Sequence, residues 1–282
     1  MNERLRVHLY SEPTASTLDF RELAAYLAEV IPHLHLEVRD NLIKFHLSAL
    51  TESAKQDVLS KLAEEFAKAK VRDPAKQDNE FEPLWGEVNY ERRRLSDPHS
   101  KVFGLLYDGF KMASILRGLI PKGETSLDHL HIVFTNQLFG TWDEGDRRYH
   151  ARVGLYSFPT ILSTSGVVEA PAKPREYYFL KQQYAALGMQ DATPVELGQR
   201  FKGRFIDYED ERLTEVMKGY VMQAVAYHLW GKPFCVDKSC RLYNAHWQEE
   251  VIQAQLESPY EFCPYHHQKL VELANEERTD ES

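Results

Sequence analysis

Ala224–Cys235, AVAYHLWGKPFC, followed at once by VDKSC ending at Cys240, decides how the C-terminal half of this chain is read. His228 stands three residues before Gly231, Gly231 four before Cys235, and four residues separate Cys235 from Cys240. Working backward, ERLTEVMKGYVMQAVAYHLWG sets Leu213, Val216, Met217, Tyr220, Val221, Ala224, Val225 and His228 on one helical stripe. That pattern predicts a buried helix, which Gly231 and Pro233 end. His228 shares the apolar stripe, so on its own it reads as a hydrogen-bonded core histidine rather than a ligand.

Working forward, the chain's three cysteines all fall between Cys235 and Cys263, with none in the first 234 residues. An odd number clustered in this way suits a metal site better than a disulfide framework.

These spacings resemble two patterns of the metzincin zinc proteases. The first is H-E-x-x-H-x-x-G-x-x-H, in which three histidines hold zinc and the glutamate activates its water. With Gly231 as the glycine, His228 takes the second histidine position, while Ala224, Val225 and Phe234 stand where the first histidine, the glutamate and the third histidine would be. The second pattern is the cysteine-rich zinc site of the archaemetzincins, C-x4-C-x-M followed about a score of residues later by C-x-x-C. Cys235, Cys240 and Cys263 stand in the first three cysteine places, His266 of CPYHH in the fourth, and Leu242 replaces the methionine. The match runs from the helix to Leu270, and upstream only the strand order is similar. TNQLFGTW, RYHAR and GVVEAPAKP are similar to segments of archaeal and bacterial proteins described as metallopeptidases.

The resemblance implies a metzincin-like, mixed α/β fold, with a mostly parallel twisted sheet, packed helices and a zinc-clipped C-terminal helical segment. It implies a closed Cys₃His tetrahedron for structural zinc at Cys235, Cys240, Cys263 and His266, pinning the helix in NAHWQEEVIQAQL against the preceding core. His267 is the alternative fourth ligand and His246 a weaker one. The peptidase centre, by contrast, is expected to be lost, since alanine, valine and phenylalanine neither bind a cation nor take a proton from water.

The 282 residues are 43% hydrophobic, enough for one large core or two modest ones, and the net charge of −9 disfavours general nucleic-acid binding. No run approaches the roughly 18 to 20 uninterrupted apolar residues of a spanning helix. MNERLRVHLYSEP also lacks the apolar centre of a secretory signal, so a cytoplasmic protein with no membrane partner is expected.

Three regions are expected: an N-terminal αβ unit over 1–70, a linker or insertion over 71–101, and a metzincin-like domain over 102–282. In the first, RVHLY predicts a strand, STLDFRELAAYLAEV a helix opened by Ser16 and Asp19, and HLHLEVRDNLIKFHL a hairpin about Asp40 and Asn41. TESAKQDVLSKLAEEFAKAK predicts an amphipathic helix facing inward through Val58, Leu59, Leu62 and Phe66. Beyond the polar stretch 71–101, VFGLLY, HLHIVFT and ARVGLYSF read as buried strands. PREYYFLKQQYAALG and TPVELGQRF read as helices, the second capped by Thr193 with Pro194 first, and ANEERTDES as a frayed tail.

Chemistry elsewhere has two candidate locations. DRRYHAR aims Arg148, His150 and Arg152 to one side of a strand, where the arginines could hold a carboxylate or phosphate; a solvated strand end paired with Asp143, Glu144 and Asp146 is the plainer reading. STSGVVEAPAKPREYY offers Glu169 on a rigid loop that either lines a cleft or crosses the sheet edge. The function expected is therefore an archaemetzincin-like zinc protein, a pseudoenzyme that binds a peptide or protein partner. The alternatives are a metal-dependent hydrolase with a relocated site using His228, His150 and Glu169, and a structural or oligomeric scaffold.

Overall fold

Within RVHLY, alternation sends Val7 and Leu9 to one face and His8 and Tyr10 to the other, and all four are buried. A strand buried on both faces belongs in the interior of a parallel sheet, and the computed structural model of the chain places it there. It describes residues 5–32, 34–77, 80–101, 103–189 and 193–279. Strand β1 (Arg6–Tyr10) leads to helix α1 (Phe20–Val30), β2 (His35–Arg39), α2 (Leu42–Ser48), α3 (Glu52–Lys68) and α4 (Trp85–Ser96). Then come β3 (Leu106–Asp108), α5 (Gly109–Arg117), a 3-10 turn at Lys122–Glu124, β4 (His129–Thr135), β5 (Leu138–Asp143), β6 (Arg148–Arg152), β7 (Gly154–Leu155) and β8 (Thr160–Ser163). Helices α6 (Thr164–Glu169), α7 (Arg175–Ala186), α8 (Thr193–Arg200), α9 (Leu213–Trp230), α10 (Gln248–Leu256) and α11 (Pro264–Thr279) complete the chain.

The main sheet has the order β2-β1-β4-β8-β7, parallel throughout except at β7, which runs antiparallel at the edge. A smaller sheet, β3-β5-β6, pairs β3 with β5 in parallel and β5 with β6 antiparallel. The fold is thus mixed α/β with a mostly parallel sheet. One core packs Val7, Leu9, Leu130 and Ile132 against α1 and α9. The other packs Tyr10, Val133 and Ile161 against α3, α5 and the smaller sheet. Among the described residues, no helix is long and apolar enough to cross a membrane.

Several local expectations are corrected. LIKFHLS is helix α2, not the second arm of a hairpin: the Asn41 side chain accepts the Ile43 N–H at 3.1 Å, and an N-cap overrides the alternating pattern of the residues behind it. Helix α1 is capped by Asp19, whose carboxylate accepts from the Arg21 and Glu22 N–H groups, rather than by Ser16. The polar stretch after α3 contains α4, held by buried Glu91, which bonds Lys70 at 2.8 Å, Arg94 at 2.7 Å and the Tyr107 hydroxyl at 2.8 Å. TSGVVE is the short helix α6, not a loop. The tail segment ANEERTDES is helical as far as Thr279, and its last three residues lie outside the described residues. The side chains of Thr193 and Pro194 lie outside the described residues.

Candidate functional site

Helix α9 ends at Gly231, which takes the left-handed φ of 68° that turns the chain toward Cys235. The 235–243 segment then folds on itself. The Cys235 N–H donates to the Leu242 carbonyl at 2.9 Å, the Cys240 N–H to the Asp237 carbonyl at 3.1 Å, and the Asp237 N–H to the Cys235 sulfur at 3.4 Å. Cys263 immediately precedes α11, and His266 lies in that helix's first turn. The donor atoms of Cys235, Cys240, Cys263 and His266 all lie within 4.8 Å of one another.

Individual separations fit a tetrahedral cation. Zn–S bonds of about 2.3 Å place two sulfurs about 3.8 Å apart, and Cys235 and Cys263 stand at 3.8 Å. His266 Nδ1 is 3.2 Å from the Cys263 sulfur and 3.7 Å from that of Cys240. His267, exposed one residue on, is not in the group. Burial pushes the Cys240 thiol up to about 12 and also raises that of Cys235. Such thiols keep their protons at neutral pH, and a dication held there would have to displace them.

The other sequence candidates are not brought together. Ala224 and Val225, at the first-histidine and glutamate positions, are fully buried in the core of α9. Phe234 packs edge-on against Tyr156, with ring centres 5.5 Å apart. His228 donates from Nε2 to the Leu127 carbonyl at 2.8 Å. His150 pairs with Asp146 at 2.9 Å, Glu169 accepts from the Tyr208 hydroxyl at 3.2 Å, and Arg152 donates to Thr141 at 2.9 Å. Arg148 is exposed at the start of β6. Among the described residues, His228, His150 and Glu169 belong to no group of metal-binding geometry.

A groove of about 520 Å³ runs beside the edge strand β7 and is lined by Gly154, Leu155, Tyr156, Tyr220, Tyr227 and Phe234. The Tyr156 hydroxyl bonds the Gln223 side chain of α9, and Gln223 in turn donates to the Tyr243 carbonyl at 3.0 Å. The groove is therefore framed by the edge strand, by helix α9, and by the segment between Cys240 and α10.

A second donor group escaped the sequence reading. His8 of β1 and His129 and His131 of β4 project from one sheet face, since β1 and β4 pair in register with His8 opposite His131. Their donor atoms and the Glu124 carboxylate lie within 4.8 Å of one another. Burial, and then the Arg39 charge, lower the pKa of His8, while burial brings His131 down to about 4, so both imidazoles are neutral at neutral pH. The available signal was a histidine at alternate positions within otherwise apolar strands, RVHLY and HLHIVFT.

Residues 3–273 match a family described as "Probable metallopeptidase family (DUF6775)". The chain belongs to that family. No curated protein and no solved structure matches it.

Membership in a probable metallopeptidase family implies a metal, and among the described residues two sets of side chains could hold one. Neither includes His228. For this member of the family, donor groups lie beyond the end of α9 and at the β1–β4 pair, but not along α9 itself.

Proposed function

We propose that the chain is an archaemetzincin-like zinc protein without peptidase activity at α9, and that it binds an extended peptide segment of a partner in the groove beside β7. Zinc is structural in this reading. Cys235, Cys240, Cys263 and His266 close its coordination, leave no position for substrate, and fasten α11 and the segment before α10 to the end of α9. The observation that carries the reading is the contrast on one helix: the ligand and base positions Ala224 and Val225 are sealed in the core, while Tyr220 and Tyr227 of the same helix line an open groove. An antiparallel edge strand beside such a groove suits an extended peptide, which gains backbone hydrogen bonds from the strand and places side chains among the aromatic rings.

The test uses a pool of fluorescein-labelled unstructured decapeptides, half carrying an aromatic residue, followed by anisotropy and then mass spectrometry. Aromatic peptides should bind and be recovered intact, and Tyr227→Ala should weaken binding about tenfold, the equivalent of about 1.4 kcal/mol. His228→Ala should leave binding and metal content unchanged. Peptide cleavage that disappears in His228→Ala would sink the reading and restore a hydrolase.

A further inference from the structure

We propose that His8, His129, His131 and Glu124 form a second metal site, distinct from the cysteine clip, that takes a divalent first-row transition ion such as zinc. The inference goes beyond the peptide-binding reading and does not depend on it. Three imidazoles, each no more than 4% exposed, occupy adjacent positions on two parallel strands where a sheet would ordinarily bury aliphatic side chains. Burying that much polar surface is costly unless the nitrogens are engaged.

Each ring has a partner on its outer side. His8 Nδ1 lies 3.1 Å from Glu37 Oε2, His129 Nε2 lies 3.5 Å from Asp128 Oδ2, and His131 Nδ1 lies 3.1 Å from the Tyr10 hydroxyl. Such outer partners fix the tautomer and orientation of metal-bound histidines. As the contacts stand, His131 Nε2 donates to the Glu124 carbonyl and Arg6 Nη1 donates to His129 Nε2 at 3.2 Å. Cation binding therefore moves the His131 proton to Nδ1 and the His129 proton to Nε2, which turns from Arg6 to Asp128. His8 Nε2, His129 Nδ1 and His131 Nε2 are then left as donors, and Glu124 Oε2 stands 4.0 Å from His8 Nε2. His8 Nε2 and His129 Nδ1 now share one proton across 2.8 Å. Zn–N bonds near 2.05 Å would hold them about 3.4 Å apart, so the ion replaces that proton and the rings part by about half an ångström. His131 gives up its 2.8 Å bond to the Glu124 carbonyl in exchange.

The charge balance also favours a cation. Two arginines, Arg6 and Arg39, face three carboxylates, Glu37, Glu124 and Asp128, which leaves one excess negative charge beside the imidazoles. Arg39 grips Glu124 at 2.6 Å, yet a carboxylate has enough lone pairs to keep that bond and also bind a metal. A hollow of about 590 Å³ lined by Arg6, His35, Glu37 and Arg39 connects the cluster with solvent. Nitrogen and oxygen donors without sulfur select a borderline cation such as zinc or cobalt(II).

The test titrates the purified, zinc-clipped protein with cobalt(II), reading metal content by elemental analysis and thiolate-to-cobalt absorption in the near ultraviolet. Wild type should take up one further equivalent without the thiolate signal. His8→Gln should weaken that uptake at least tenfold, and so should Glu124→Gln, at a partly exposed position that tolerates substitution, with clip zinc and near-ultraviolet circular dichroism unchanged. Uptake of no second equivalent, a second equivalent that carries the thiolate signal, or uptake indifferent to both substitutions overturns the site.

Discussion

The sulfurs of Cys235 and Cys263, separated by 28 residues of chain, stand 3.8 Å apart. A disulfide needs about 2.05 Å, whereas two corners of a zinc tetrahedron need about 3.8 Å. The distance suits two ligands of one metal ion rather than a disulfide, and the donor atoms of Cys240 and His266 lie within 4.8 Å of both sulfurs.

Cys240→Ser tests that conclusion through stability. Cys240 is fully buried, so losing its thiolate removes a ligand and leaves a small hydroxyl in a site built for sulfur. Loss of a structural metal belongs among the large destabilisations, about 4 kcal/mol or more. Thermal unfolding should show wild type in strong chelator falling to the melting temperature of the variant, while the variant ignores chelator. A wild-type melting temperature indifferent to chelator would rule out a stabilising metal there.

The convergence of Cys235, Cys240, Cys263 and His266 was legible in the sequence because they sit in two short segments, where spacing alone limits geometry. Helix α9 was legible for a related reason, since a continuous apolar stripe ending in Gly231 admits few other structures. The histidine cluster was not, because His8 and His129 are 121 positions apart and meet only through the pairing of β1 with β4. No local rule specifies which strands become neighbours. LIKFHL misled for the opposite reason: Ile43, Phe45 and Leu47 alternate as a strand would, and the deciding residue was the cap, Asn41.

Asp210 and Arg212 give a pH prediction. Burial alone would raise the Asp210 pKa, but bonds from the Arg212 guanidinium at 2.8 and 2.9 Å and from the Arg212 N–H at 2.9 Å overcome it and hold the carboxyl below its ordinary value. A folded-state pKa below the unfolded value of about 3.9 stabilises the fold above that pH, and the contribution disappears as pH falls through the folded value. The same Arg212 reaches the Gly203 and Phe205 carbonyls at 3.0 and 2.8 Å, tying the preceding turn to the start of α9. Asp210→Asn should therefore cost about 2 kcal/mol at pH 7 in denaturant unfolding. The difference from wild type should shrink steadily below about pH 4. A gap that stays constant down to pH 2 would mean that the charge contributes nothing.

Gly219 and Gln255 join the clip to the core in a way that a double-mutant cycle can measure. Gly219 lies inside α9, where alanine would ordinarily gain about 1 kcal/mol of helix propensity. A methyl there, however, would run into the Oε1 and Cδ atoms of the Gln255 side chain of α10. Gln255 is held in place by its Nε2 donating at 2.9 Å to the carbonyl of Arg241, the residue next to Cys240. Gly219→Ala should thus cost about 1–3 kcal/mol through overpacking, and Gln255→Ala about 1–2 kcal/mol by leaving a buried carbonyl without its donor. In the double variant the clash is gone and the alanine regains its propensity, so its destabilisation should fall short of the sum by at least about 1 kcal/mol. Because Gln255 contacts the segment carrying Cys240, both single variants should also release clip zinc faster to a chelator, with Gly219→Ala rescued by adding Gln255→Ala only in stability and not in release rate. Strict additivity of the two costs would show that α9 and α10 do not meet through this pair.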